Sequence, residues 1–134
     1  MNYYSIPGIG IFGGIKTAAQ LVDLLNECDA PSCLVTPNGD APQWFTSKAP
    51  VMSEKDMNAR LRPEDSIIFS LPSNYPEIKK LPAKIIYHCQ GHDTAMFQIA
   101  DDPDILLLSA WNLAKQELES HSGRKCLDTG IAIS

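Results

Sequence analysis

Pro7-Gly8-Ile9-Gly10-Ile11-Phe12-Gly13-Gly14-Ile15-Lys16 decides the fold. A short apolar run, Tyr3 to Ile6, precedes it, and the most regular helical pattern in the chain follows. Ile15, Ala18, Ala19, Val22 and Leu25 recur at helical spacing, with Leu21 and Leu24 widening the face, which predicts a helix over residues 15–28. Asp29-Ala30-Pro31 ends it, and Cys33-Leu34-Val35-Thr36 reads as a second strand closed by the turn Pro37-Asn38-Gly39-Asp40. Strand, glycine turn, helix and strand make a β-α-β unit. Short continuous apolar strands of this kind belong to a parallel sheet covered on both faces.

The alternation continues along the chain. Residues 49–52 predict a short edge strand, and Ser53 caps a helix through Arg60 with Asp56 three residues on. Ser66–Ser70, Lys84–His88 and Ile105–Ser109 are strands, and residues 125–127 a last short one. Glu77 to Lys80 is at most one helical turn, and Asp93 is placed to cap a segment through Ala100. Ser109 is placed to cap a helix running to His121 and stopped by Gly123. With no repeat, low-complexity tract or linker, residues 1–134 read as a single three-layer, Rossmann-like α/β domain with a mostly parallel sheet.

Composition narrows the function classes. The chain has 134 residues, 44% apolar and 20% charged, as globular domains do. A net charge of −5 argues against a nucleic-acid binder, which carries a basic face. No run reaches membrane-spanning length and no leader is recognisable at Met1-Asn2-Tyr3-Tyr4, so a soluble, cytoplasmic protein is expected. Cys28, Cys33, Cys89 and Cys126 form no C-x-x-C pair and are expected as reduced, mostly buried thiols.

Gly8, Gly10 and Gly13 spell the dinucleotide G-x-G-x-x-G between strand and helix. That site also expects an acidic residue ending the second strand, where Thr36-Pro37 stands. The glycines fit equally a turn required only for close strand-to-helix packing. Lys16 in the first helical turn opposes the helix dipole unless an anion docks there, and it reads otherwise as a solvated lysine. His88-Cys89-Gln90-Gly91-His92-Asp93 is the densest polar cluster. Because His88 lies on a strand, the four-residue spacing to His92 does not make a metal pair, and no metal is expected. A histidine beside a carboxylate could act as a base, or the group could simply close the strand and cap the next helix.

Three stretches together resemble the N-terminal half of a retaining glycosyltransferase of family 4, with the GT-B architecture. They are Gly13-Gly14-Ile15-Lys16 after the first strand, Tyr87 to Phe97 after a central strand, and Ser109-Ala110-Trp111 before the last helix. The resemblance implies an acceptor-side domain that works with a C-terminal, donor-binding domain or a partner chain. The substrates would be a nucleotide sugar and an unidentified acceptor, with no other cofactor. It leaves room for peripheral membrane association of the complete enzyme. By the same resemblance Gly13, Gly14 and Lys16 face the donor phosphates, and Gln90, His92 and Asp93 line the acceptor side. Many family members carry a histidine near the position of Gln90, and a glutamine cannot serve as a base. The family's donor-binding acidic pair has no counterpart after Ser109. The chain alone is therefore expected to have little or no transferase activity. The alternative is a stand-alone α/β module that binds a dinucleotide or phosphate ligand at the glycine turn.

Overall fold

The structure is a computed structural model that describes residues 1–6, 13–41, 47–90 and 94–129. Seven strands form one sheet: β1 (Asn2–Ser5), β2 (Ser32–Thr36), β3 (Val51–Ser53), β4 (Ser66–Phe69), β5 (Lys84–Cys89), β6 (Ile105–Ser109) and β7 (Leu127–Asp128). Their order is β3-β2-β1-β4-β5-β6-β7, and every pair of neighbours is parallel. The helices are α1 (Gly13–Glu27), α2 (Glu54–Arg60), α3 (Tyr75–Ile78), α4 (Met96–Ala100) and α5 (Asn112–Ser122). The expected α/β class and three-layer, Rossmann-like plan are therefore present. None of the helices is long and apolar enough to cross a membrane among the described residues.

Alternation along the strands divides the core. Successive strand side chains point to opposite faces, so neighbours in sequence serve different layers. Tyr4, Leu34 and Ile68 pack with Ile15, Ala18, Ala19 and Val22 of α1. Tyr3, Val35, Ile67, Phe69, Tyr87 and Leu107 face the other way, against Met57 of α2, Ile78 of α3, Ile99 of α4 and Leu118 of α5. Each large aliphatic side chain buried in this way contributes about 2 kcal/mol. Because both faces are covered there, the central strands carry no polar alternation, and this makes them readable as apolar runs.

Among the described residues α1 is the one helix packed on its face, over the middle of the sheet. Ile86 packs at the margin of this cluster, and Leu106, Leu108 and Leu127 share the face by register beyond it. Leu106 stays 49% exposed and Leu127 45%.

Several local expectations hold with shifted boundaries. α1 begins at Gly13, two residues early, so Gly13 and Gly14 form its first turn. β3 covers residues 51–53 because its ladder to β2 begins where the Leu34 amide bonds the Pro50 carbonyl, at 2.8 Å. Ser53 caps α2 through a bond from the Asp56 amide, at 3.1 Å. Gly123 closes α5 at φ +69°, the left-handed conformation that glycine adopts without a Cβ penalty. Ser109, expected as the cap of α5, is instead the last residue of β6, and Trp111 takes the cap position without a side-chain bond.

Candidate functional site at the carboxyl edge of the sheet

The strand order reverses between β1 and β4, and in open parallel sheets ligands bind at the carboxyl ends of strands beside that point. The edge gathers Ser5 and Ile6, Thr36, Ser70, Gln90, and the Ala110-Trp111 step. α1 enters the sheet from the same edge. Its first amides have no partner within the helix, and its first turn carries no acidic residue but does carry Lys16. Gly13, Gly14 and Lys16 are thus placed where an anion could meet helix amides. Gly8, Gly10, His92 and Asp93 fall outside the described residues.

One polar network crosses this edge. Tyr4, on β1, is fully buried and reaches over β4 to His88 on β5, its hydroxyl lying 2.6 Å from Nδ1. The Gln90 amide nitrogen donates to the same hydroxyl at 2.7 Å, and Ser70 bonds it as well. A phenol has one proton to give and two lone pairs to receive. With Gln90 and Ser70 occupying the lone pairs, the Tyr4 proton goes to His88 Nδ1. His88 is then an acceptor at Nδ1 and carries its proton on Nε2, which faces Thr129 Oγ1 at 3.4 Å. Thr129 Oγ1 donates in turn to the Ser109 carbonyl at 3.0 Å. The direction of donation is consistent along the whole path, from Gln90 through Tyr4, His88 and Thr129 to Ser109.

Burial sets the chemistry of the path. It lowers the pKa of His88 to about 4 and pushes the Tyr4 phenol up. Among the described residues the His88 side chain bonds Tyr4 and Thr129, and its burial makes it a neutral link and not a poised base. Cys33 and Cys126 are buried and raised to about 11 by desolvation, which keeps them from acting as nucleophiles. Cys28 is the exposed thiol.

The two faces of the edge differ in charge. On the side away from α1, a crevice of about 480 Å³ is lined by Ser5, Ile6, Asn58, Asn74, Glu54 and Glu77 among others, with no basic side chain. Two carboxylates there disfavour a phosphate. An anion meeting this edge would find the more favourable surface on the α1 side. At the end of β2, where a dinucleotide site would expect a carboxylate, stands Thr36, whose fully buried hydroxyl has no hydrogen-bond partner among the described residues. Among the described residues no group of three or more histidine, cysteine or acidic side chains could hold a metal ion.

Sequence reasoning selected Gln90 and Lys16 but missed Tyr4, Ser70 and Thr129. The available signal was Tyr4 itself. A tyrosine inside a short buried strand needs a partner for its hydroxyl, and His88 has the matching parity on a central strand. Comparison with protein-family models, with curated proteins and with solved structures gave no match.

Proposed function

We propose that this chain is the acceptor-side domain of a nucleotide-sugar-dependent glycosyltransferase, with the donor held mainly by a second domain. One observation carries the reading. Stretches far apart in sequence, the start of α1, Gln90 after β5 and Trp111 after β6, meet at one edge of one sheet. Gly13, Gly14 and Lys16 then offer amides and a cation to the donor diphosphate. Gln90, with His92 and Asp93, faces the acceptor. Trp111 bounds the acceptor side. Transfer requires preorganised groups around both substrates, and half a cleft does not supply them.

The strand order favours a second reading, since β3-β2-β1-β4-β5-β6 is also the order of dinucleotide-binding sheets. Thr36 in place of a carboxylate at the end of β2 counts against it.

Calorimetric titration with UDP, GDP, their sugar conjugates and NAD separates the two. The transferase reading expects weak or absent binding by the chain alone and transfer once a donor-binding domain is joined to it. NAD binding that Gly13→Val abolishes would overturn it.

A further inference from the structure

We infer that Tyr3, Arg60 and Arg62 form a second binding site, at the amino edge of the sheet, for the phosphate group of a small phosphate monoester. The site lies at the edge opposite the start of α1 and does not depend on the transferase reading.

The three side chains line one crevice of about 540 Å³, together with Met1, Glu64 and Asp65 among others. They come from three parts of the chain. Tyr3 is the second residue of β1, Arg60 ends α2, and Arg62 opens the turn before β4. The Ser66 amide bonds the Met1 carbonyl at 3.1 Å, which sets that turn beside the start of β1. The turn is itself fixed. The Arg62 amide donates to Asp65 Oδ2 at 2.9 Å, and the Asp65 amide donates to the Arg62 carbonyl at 3.0 Å. Pro63 holds its second position, where a locked φ is favoured. Leu61, between the two arginines, packs against the core. The backbone that carries both guanidinium groups is therefore preset.

Two observations point to an anion. Of the three arginines, Arg124 spends its guanidinium on carbonyl groups, whereas Arg60 and Arg62 make no ion pair or guanidinium hydrogen bond among the described residues. The Asp65 carboxylate is turned to the Arg62 amide and to the Met1 amino group, at 2.9 and 3.2 Å. That leaves Glu64 as the one lining carboxylate without an ion pair among the described residues, against two guanidinium groups. Arg60 also complements the end of α2, but Arg62 lies beyond the helix and has no such role. The second observation is Tyr3. It is only 3% exposed, yet its hydroxyl has no hydrogen bond among the described residues, and a tyrosine buried to that degree ordinarily finds one. Burial raises the pKa of its phenol, and the charges of Asp65, Arg60 and Arg62 act on the same group, so the hydroxyl keeps its proton and belongs to the crevice. One O–H donor and two planar forks match the oxygens of a phosphate. The crevice exceeds a phosphate in size and has the volume of a small-molecule site.

The test uses glucose 6-phosphate and inorganic phosphate as probes, with glucose and sodium chloride at matched ionic strength as controls. ¹⁵N–¹H spectra follow the Nε–H signals of Arg60 and Arg62. Both probes are expected to shift these signals, the monoester at the lower concentration, and the controls to leave them in place. Arg62→Gln, at an exposed position where folding is retained, should weaken binding about tenfold or more, as loss of a charge-assisted bond does. Tyr3→Phe keeps the ring in the core and removes only the donor. It should weaken binding roughly tenfold, the factor for one hydrogen bond of about 1.4 kcal/mol. Glu64→Gln removes the opposing charge and should tighten binding. No response to either probe in the wild type, or binding unchanged in Arg62→Gln or in Tyr3→Phe, overturns the inference. Equal affinity for the two probes assigns the crevice to free phosphate and overturns the monoester. Gly13→Val, at the other edge, should leave the phosphate titration as it is, so this site and the transferase reading fail separately.

Discussion

The Tyr4 hydroxyl and His88 Nδ1 lie 2.6 Å apart across the β1–β4–β5 section of the sheet, 84 positions apart in sequence. The contact decides the protonation of a fully buried histidine. Wild-type His88 should show an unprotonated Nδ1 and a protonated Nε2 in ¹⁵N spectra at pH 7. Tyr4→Phe should lose about 1–3 kcal/mol in chemical denaturation, because it leaves buried Nδ1 without a donor. It should also release the tautomer to a mixture. An Nδ1–H tautomer in the wild type would contradict the direction of the path.

The same histidine makes the fold acid-sensitive. A histidine in the unfolded chain takes up a proton near pH 6.5, whereas in the fold His88 resists it down to about pH 4. Between those values the unfolded state binds the proton and the folded state does not, so stability falls as pH drops through that window. The loss approaches about 3 kcal/mol at its lower end. Urea denaturation from pH 7 to 4 measures it. His88→Gln, neutral throughout, should start less stable and lose this slope.

Asp102 extends the acid sensitivity downward. Tyr75 donates to Asp102 Oδ2 at 2.6 Å and the Lys79 ammonium lies 3.0 Å from the same oxygen. The Tyr75 bond leads in holding the carboxyl down at about pKa 2, below its ordinary 3.8. Its contribution is complete above about pH 4 and disappears as pH falls toward 2. Asp102→Ala should cost about 2 kcal/mol at pH 7, the range for hydrogen bonds to a charged group. Thermal denaturation of Asp102→Ala and Lys79→Ala should show the smaller effect for exposed Lys79.

Arg124 holds the turn between α4 and β6. Its Nη1 donates to the carbonyls of Ala100 and Asp102, at 2.9 and 2.7 Å, and its Nη2 to Ile105. A lysine carries charge but cannot reproduce that planar fork. Arg124→Lys should therefore destabilise by about 1–3 kcal/mol and raise amide exchange at Asp102 and Ile105. Wild-type exchange in the variant would show that the fork is dispensable.

The fold was legible because β4 is buried on both faces, which turns Ile67-Ile68-Phe69 into an uninterrupted apolar run, and Ile105-Leu106-Leu107-Leu108 reads the same way although Leu106 stays exposed. Ser109 was misjudged as a helix cap because the last strand, expected at residues 125–127, sits at Leu127–Asp128 and brings Thr129 to Ser109, a contact that the sequence does not show. Its carbonyl accepts from both the amide and the hydroxyl of Thr129, which keeps it in the ladder. Gln90 stood out as a polar residue at a strand end, but its partners did not. Tyr4, Ser70 and Thr129 come from three other elements, and only the strand order brings them to it. His88 looked reactive in sequence and is neutral in the fold, since burial is a property of the sheet and not of its neighbours in the chain.

The path from Tyr4 to Thr129 also constrains when the molecule can mature. β1 is made early and occupies the middle of the sheet, yet its tyrosine must wait for His88, and His88 for Thr129. Closing contacts between such distant positions carries the entropy of long loops and comes late in assembly. A nascent chain would reach a β1–β2 pair with α1 well before this edge is set. The Gln90 amide would acquire its orientation only when nearly the whole sheet is in place.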